Sequence, residues 1–165
     1  MMRILCATII ALELVSTAHG ATLWSEQMGK WTVQAFANDQ TKAFSHCGGI
    51  QIVGGNALMF AVNANNGWSM GIVNDKWQLS KASRYNVRYW VDAHEPENTT
   101  AVAISPKLFE LPIRDVGDLY QSVRSGYRIF VYTESGGQQF ELAGASRVLS
   151  YIDQCAKAGG RKPAA

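Results

Sequence analysis

Residues 140–155 read FELAGASRVLSYIDQC, and the fold predicted from the sequence is organised around this stretch. It starts as a strand, turns at Gly144 and continues as an amphipathic helix that carries Cys155 in its last turn. Because the residues between its apolar positions are polar, we expect the helix to pack on the rest of the protein through one face. The apolar positions recur at helical spacing and are Ala145, Val148, Leu149, Ile152 and Ala156.

The first twenty residues are organised like a secretory signal peptide. A positively charged start is followed by an apolar run over residues 4–15 that is interrupted only by Glu13. Small residues then fit cleavage after Ala18 or after Gly20. The apolar run is too short to span a bilayer. We therefore predict that residues 1–20 are a signal peptide and that the mature protein is periplasmic or secreted, with no transmembrane segment after signal removal.

Two of the three cysteines, Cys47 and Cys155, remain after that cleavage. In an oxidising compartment such a pair usually forms a disulfide, and here it would close a loop of roughly 100 residues. The alternative is a reactive thiol at Cys47 that is activated by the preceding His46. Adjacent residues on a strand point to opposite faces, so His46 is badly placed to accept the thiol proton. We predict the disulfide between Cys47 and Cys155.

The strongest local patterns are those of short antiparallel strands. Period-two alternation is clear in residues 31–36 and 84–92. The Asn-Gly pair at residues 66–67 is typical of a hairpin turn, because both positions of such a turn favour positive φ angles. A further strand is expected at residues 76–79, and a long polar loop at residues 93–100.

Helical spacing returns later in the chain, in the apolar residues Val116, Leu119, Tyr120 and Val123. With the closing helix, this gives about eight short strands and two short helices in the C-terminal half. The predicted class is therefore mainly β, an antiparallel β-sandwich or half-barrel. A chain of 165 residues is long enough for one such domain. We place that domain at residues 21–158, before a disordered tail at residues 159–165.

Charge excludes one class of partner. The formal net charge is +2, and the basic residues are spread along the chain without forming a stripe. A protein that binds nucleic acid needs a concentrated basic surface. We therefore expect no nucleic-acid partner.

The densest cluster of ligand-type residues is Asp92, His94, Glu95 and Glu97. On an extended segment Asp92 and His94 share a face, which would suit a zinc or calcium ion. An ordinary solvated loop has the same composition, and the spacing matches no established ligand set. We therefore predict no metal site, no cofactor and no catalytic residues, and hence a protein that is not an enzyme.

Trp90 is the unusual aromatic residue of the sequence. Alternation places it on the polar face of the strand at residues 84–92, between Arg88 and Asp92. An exposed tryptophan between two charged residues is typical of a binding surface. We predict a binding face that is composed of Arg88, Trp90, Asp92, His94 and Glu95.

Two short motifs resemble the invasion-associated locus B family of small exported alphaproteobacterial proteins. Residues 29–33, Gly-Lys-Trp-Thr-Val, precede a cysteine-bearing strand and are similar to the opening Gly-x-Trp-x-Val pattern of that family. Residues 140–152 resemble its closing strand, glycine and helix. The sequence departs from the family pattern at Ala35, where a cysteine is usual, and it lacks a cysteine pair in the middle of the chain. The resemblance implies a periplasmic or surface-associated β-sandwich without known catalysis.

These observations predict an exported, non-enzymatic protein that binds a protein or a cell-envelope component. The first alternative is a small periplasmic enzyme, either metal-assisted through Asp92, His94 and Glu95 or thiol-based through Cys47 and His46. The second alternative is an inhibitor of a protease or a lysozyme, because compact disulfide-linked exported domains often have that role.

Overall fold

The computed structural model describes residues 20–113, 116–134 and 136–164. All of the predicted signal peptide except Gly20 lies outside these ranges. The helices are α1 (Val116–Ser125) and α2 (Ala145–Lys157). The strands are β1 (Ala21–Met28), β2 (Trp31–Ala37), β3 (Phe44–Val53), β4 (Asn56–Asn63), β5 (Trp68–Asn74), β6 (Arg84–Val91), β7 (Glu97–Ser105), β8 (Leu108–Pro112), β9 (Arg128–Thr133) and β10 (Gly136–Glu141).

The strands in the described part of the chain form one antiparallel sheet. Its order is β1-β2-β3-β4-β5-β8-β7-β6-β9-β10, so β1 and β10 are the two edges and the sheet is not closed into a barrel. The first five strands follow one another as a meander, whereas β6 lies between β7 and β9. The predicted class, mainly β and antiparallel with two helices in the C-terminal half, is confirmed.

One face of the sheet carries the core, and we call it the inner face; the opposite side is the outer face. Helix α2 packs on the inner face of β2, β3 and β4 through the apolar stripe expected from its sequence, and α1 packs on α2. Side chains alternate between the two faces along each strand. The core takes side chains from both halves of the sheet, among them Trp31, Val33, Phe60, Met70, Tyr89, Phe109, Val131 and Phe140.

Two contacts fix α2 on β3. Cys155 in the last turn of the helix forms the predicted disulfide with Cys47, and their Cα atoms lie 6.2 Å apart. Nearer the start of the helix, Val148 lies directly over Gly49, where a β-carbon would overlap the valine side chain. The glycine therefore lets the helix approach the sheet closely at this point.

Two local predictions were wrong, and one strand was not predicted. Residues 21–28 form the unpredicted strand β1, an edge strand whose side chains are mostly exposed and therefore lack apolar alternation. Residues 76–79 do not form a strand, because Trp77 turns inward and stacks on Phe109 with ring centroids 4.8 Å apart. The predicted polar loop at residues 93–100 is shorter, because its second half pairs with β6 as part of β7.

Residues 159–164, for which the sequence predicts a disordered tail, contact β1 in the structure. They lie along β1, where the Trp24 indole N–H donates to the Gly160 carbonyl at 2.7 Å. The Lys162 ammonium lies 3.2 Å from the Glu26 carboxylate. Two consecutive glycines after α2 take positive φ angles of 64° and 84°, which turn the chain back towards the sheet.

In protein produced from residue 21 onwards, replacing both cysteines, Cys47→Ser with Cys155→Ser, is expected to lower the free energy of unfolding by about 2–4 kcal/mol, because the crosslink restricts the unfolded chain. Urea denaturation of the wild type and of the double variant measures the difference. As a control, the wild type is titrated with a thiol reagent under denaturing, non-reducing conditions and is expected to show no free thiol. Two titratable thiols would contradict the disulfide.

Gly49→Ala is expected to lower the free energy of unfolding by about 1–3 kcal/mol, because the added methyl group overlaps Val148. Gly48→Ala is the matched control, since its β-carbon would meet the nearest atom, the carbonyl oxygen of Phe60, at 3.4 Å. Combining Gly49→Ala with Val148→Ala is expected to give a loss smaller than the sum of the single losses. Equal stability of the two glycine variants in urea denaturation would contradict this packing.

Candidate binding surface

The outer face of β6 and β9 carries a group of aromatic side chains. These strands are neighbours in the sheet, with Trp90 paired to Phe130 and Arg88 paired to Tyr132. The four side chains alternate with the buried residues of their strands and therefore project from the side opposite the helices. We call this group, Arg88, Trp90, Phe130 and Tyr132, the aromatic face.

The rings of the aromatic face are stacked. The centroid of the Trp90 ring lies 5.2 Å from that of Phe130 and 5.3 Å from that of Tyr132, with interplanar angles of 14° and 21°. The central carbon of the Arg88 guanidinium lies 5.3 Å from the Trp90 ring centroid, within the range of a cation–π interaction. Because these contacts already restrict the rotamers, a partner that binds here has less side-chain entropy to remove.

The aromatic face is accessible. Tyr132 is 47% exposed, and Trp90 and Phe130 are half-buried. Aromatic and arginine side chains bordered by polar groups are typical of the residues that dominate protein interfaces. Beside Trp90 and Tyr132 runs an open groove of about 700 Å³, whose other lining residues include Asn86, Asn98 and Thr99.

Asp92, one of the residues predicted for the binding face, holds the backbone around the aromatic face. Its carboxylate oxygens accept hydrogen bonds from the backbone N–H groups of Tyr127 and Arg128, both at 2.9 Å. These bonds tie the end of β6 to the start of β9 and thereby keep Trp90 level with Phe130. A direct part for Asp92 in binding stays a prediction.

His94 and Glu95 lie in the exposed segment between β6 and β7. They line a second groove, of about 440 Å³, together with Trp90 and α1 residues between positions 118 and 122. Trp90 therefore contributes to two grooves, and only one of them contains these two predicted residues. Their part in binding stays a prediction.

His46 and Cys47 do not form a thiol pair. Cys47 is buried on the inner face and bonded to Cys155, whereas His46 lies on the outer face and stacks on Phe36 with ring centroids 4.5 Å apart. Burial lowers the pKa of His46, and the charge of Glu110 partly opposes this effect. The thiol-enzyme alternative therefore lacks a free thiol at Cys47.

The sequence around Ser69, Gly-Trp-Ser-Met-Gly, has the spacing of a hydrolase nucleophile elbow. Such an elbow places its serine at a sharp turn from a strand into a helix. Ser69 instead lies inside β5, paired with Ala61 on one side and with Pro112 on the other. Ser69 therefore has the sequence spacing of a nucleophile elbow but not its position at a strand-to-helix turn.

Within the described ranges, no three side chains of His, Cys, Asp or Glu are grouped so that they could hold a metal ion. None of the helices in the same ranges has the length and apolar character needed to cross a membrane.

Phe130 and Tyr132 belong to the aromatic face but not to the predicted set. In β9 the exposed or half-buried residues Arg128, Phe130 and Tyr132 alternate with the buried residues Ile129 and Val131. The two rings thus occupy positions that alternation assigns to polar residues, which is the signal that also distinguishes Trp90. That signal indicates exposure, but it does not indicate that β9 lies beside β6.

No protein-family model matches the chain, and no curated protein matches it in sequence. Among solved structures, the fold is similar to that of invasion-associated protein B from Bartonella henselae, with a TM-score of 0.55 and 16% sequence identity. The similarity covers 81% of this chain and 99% of that chain. At this identity it shows a shared fold, and it confirms the predicted resemblance at the level of the fold.

The free energy of unfolding is expected to decrease as the pH decreases, because burial lowers the pKa of His46 from its ordinary value of 6.5. The unfolded chain then takes up this proton at a higher pH than the folded protein does, so the contribution of His46 is complete above about pH 6.5 and is lost as the pH falls through the folded pKa. We expect the melting temperature to drop between about pH 7 and about pH 5, and to drop less in His46→Gln.

His94→Gln is the matched control for this prediction, because its side chain is exposed. It is expected to keep the pH dependence of the wild type in the same thermal melts. A His46→Gln protein that loses as much stability as the wild type over this pH range would show that His46 has no such role.

Proposed function

We propose that the protein is exported and acts by binding a protein of the cell envelope or the cell surface through the aromatic face. The observation that carries this proposal is the stack of Trp90 on Phe130 and Tyr132, beside Arg88, on the side of the sheet opposite the helices. Clustered apolar rings are unfavourable in water, and natural proteins retain them mainly where a partner covers them. Tryptophan, tyrosine and arginine are also the residues that most often dominate binding energy.

The charges around the aromatic face favour a partner that offers acidic or carbonyl groups beside apolar side chains. Arg84 and Arg88 are exposed on the outer face of β6, and Arg128 is exposed on β9. A guanidinium group binds carboxylate or carbonyl oxygens through several donors while its flat surface packs on rings. The surface of a protein supplies both kinds of group.

Export is supported by three observations. The disulfide between Cys47 and Cys155 belongs to a bond type that persists mainly in oxidising compartments. Residues 1–20 have the charge and hydropathy pattern of a secretory signal. The shared fold adds a structural neighbour that is itself described as invasion-associated. We therefore place the site of action outside the cytoplasm.

Binding is favoured over the enzymatic alternatives by the contacts of the residues that catalysis would need. Cys47 is held in the disulfide and buried. The carboxylate of Asp92, which the metal alternative requires, already accepts two backbone hydrogen bonds. Binding through the aromatic face requires no nucleophile and no metal ion.

The proposal is tested by photo-crosslinking in the native cells. A photoreactive phenylalanine derivative at position 132 is expected to give a reproducible adduct with one protein, and the adduct is expected to be lost in a Trp90→Ala background. Position 52 is the control, because Ile52 is 55% exposed on the outer face of β3, away from the aromatic face. No adduct at position 132, or the same adduct at position 52, would overturn the proposal.

With the crosslinked partner purified, Tyr132→Ala is expected to weaken its binding by at least about tenfold, as truncation of an interface anchor does. Tyr127→Ala is the matched control, since Tyr127 is 82% exposed and does not take part in the ring stack. Isothermal titration calorimetry measures both affinities. Equal losses in the two variants would show that the stacked rings have no special role.

A further inference from the structure

The two edges of the sheet are protected to different degrees. The pairing of β1 with β2 is interrupted by a register shift between Thr22 and Trp24, and residues 159–164 lie along β1. In contrast, β10 pairs with β9 without interruption over residues 136–141 and contains neither proline nor lysine. Natural sheets usually protect an exposed edge with a bulge, a charge or a covering segment. Among the described strands, β10 has one such charge, Glu141 at its last residue, which lies 2.9 Å from Lys30. Residues 136–139 of this edge have no such protection.

The backbone of β10 has hydrogen-bonding groups that point away from the sheet. The Leu142 N–H donates to the Tyr127 carbonyl at 2.8 Å. Along an antiparallel pair of strands, every second residue exchanges backbone hydrogen bonds with its partner. The even-numbered residues of β10 therefore bond to β9. The odd-numbered residues Gly137, Gln139 and Glu141 therefore direct their N–H and C=O groups outward. All three are exposed, and no described strand pairs with this side of β10.

The aromatic face extends to this edge. Gly137 is paired with Tyr132, and a β-carbon on Gly137 would overlap the tyrosine ring, so the ring lies across β10. Gln139 is paired with Phe130 in the same way. A strand that bonded to the outward groups of β10 would therefore place alternate side chains next to Tyr132.

We propose that β10 is a docking edge for an extended segment of the partner protein, which adds a strand to the sheet and packs an apolar side chain on Tyr132. The proposal rests on the function proposed for the aromatic face and names the kind of partner that it takes. A row of alternating N–H and C=O groups is complementary to another extended backbone, whereas a glycan or a lipid does not offer that spacing. The backbone supplies affinity, and the rings select the side chain.

A second copy of this chain fits the edge less well. In the antiparallel register that uses all three outward residues, Gln139 meets its own equivalent and Glu141 meets Gly137. The Glu141 carboxylate would then lie beside Tyr132, where the edge offers an apolar surface. The structure thus favours a different polypeptide.

To obtain probes, a phage-displayed library of random linear peptides is selected for binding to the folded mature protein. The affinity of the selected peptides is then measured for the wild type and for variants of β10. Selected peptides are expected to bind Gln139→Pro at least about tenfold more weakly than the wild type. Proline removes the outward N–H and blocks the approach of a strand, but it leaves the bonds between β10 and β9. Gln139→Ala is the matched control, because it keeps the N–H, and it is expected to bind within about threefold of the wild type.

A second measurement uses only the wild type, so its result does not depend on whether the proline variant folds. Amide hydrogen exchange with the selected peptide bound is expected to slow at Gly137, Gln139 and Glu141 by at least about tenfold, because their N–H groups become bonded. Unchanged exchange at these amides, a library that yields no binder, or peptides that bind Gln139→Pro as tightly as the wild type would overturn the proposal. Slower exchange with rising protein concentration and no peptide, together with a dimer in sedimentation, would also overturn it, since the occupant would be a second copy.

The two proposals fail in distinguishable ways. If Trp90→Ala abolishes recovery of the crosslinked partner while Gln139→Pro does not, the strand-docking proposal fails and the aromatic face remains the binding site. If Gln139→Pro abolishes recovery while Trp90→Ala and Tyr132→Ala have no effect, the function proposed for the aromatic face fails.

Discussion

The bond between Cys47 and Cys155 holds the last turn of α2 on the inner face of β3, and Val148 packs the start of the same helix on Gly49. A sheet must bury one of its faces, and the position of α2 determines which face that is. Helix α1 then packs on α2, and the segment after α2 lies along β1. These two contacts therefore position both helices and the segment that covers β1, and they leave the outer face and the β10 edge accessible.

The aromatic face also depends on the way in which β6 and β9 are joined. Its rings come from strands that are far apart in sequence, and Asp92 holds the end of β6 to the start of β9 by accepting two backbone hydrogen bonds. The antiparallel register of β10 on the same strand, β9, fixes which groups of β10 bond inward and which point outward. The stacked rings and the free edge are therefore consequences of one backbone arrangement, and a partner that used both would bind a surface that is already ordered.

The sequence predicts those features that depend on local pattern. The helix that carries Cys155 and the strand of Trp90 follow from periodicity. The disulfide follows from the tendency of two cysteines to pair in an oxidising compartment. Features set by distant contacts were not predicted. Tyr132 joins the aromatic face only because β9 lies beside β6. Residues 159–164 contact β1 through Trp24 and Glu26, which are far from them in sequence. The strand β1 was missed because an exposed edge has little reason to alternate.

If a partner covers the outer face of β6 and β9, the side chains of that face are less exposed to solvent in the cell than in the purified protein. Hydroxyl-radical footprinting of intact producing cells and of the purified protein measures this difference, because oxidation reports the solvent exposure of individual side chains. We expect Trp90 and Tyr132 to be oxidised more slowly in the cells, while Tyr127 and Ile52 are oxidised at the same rate in both samples. Equal oxidation of Trp90 and Tyr132 in the two samples would contradict the proposed binding surface.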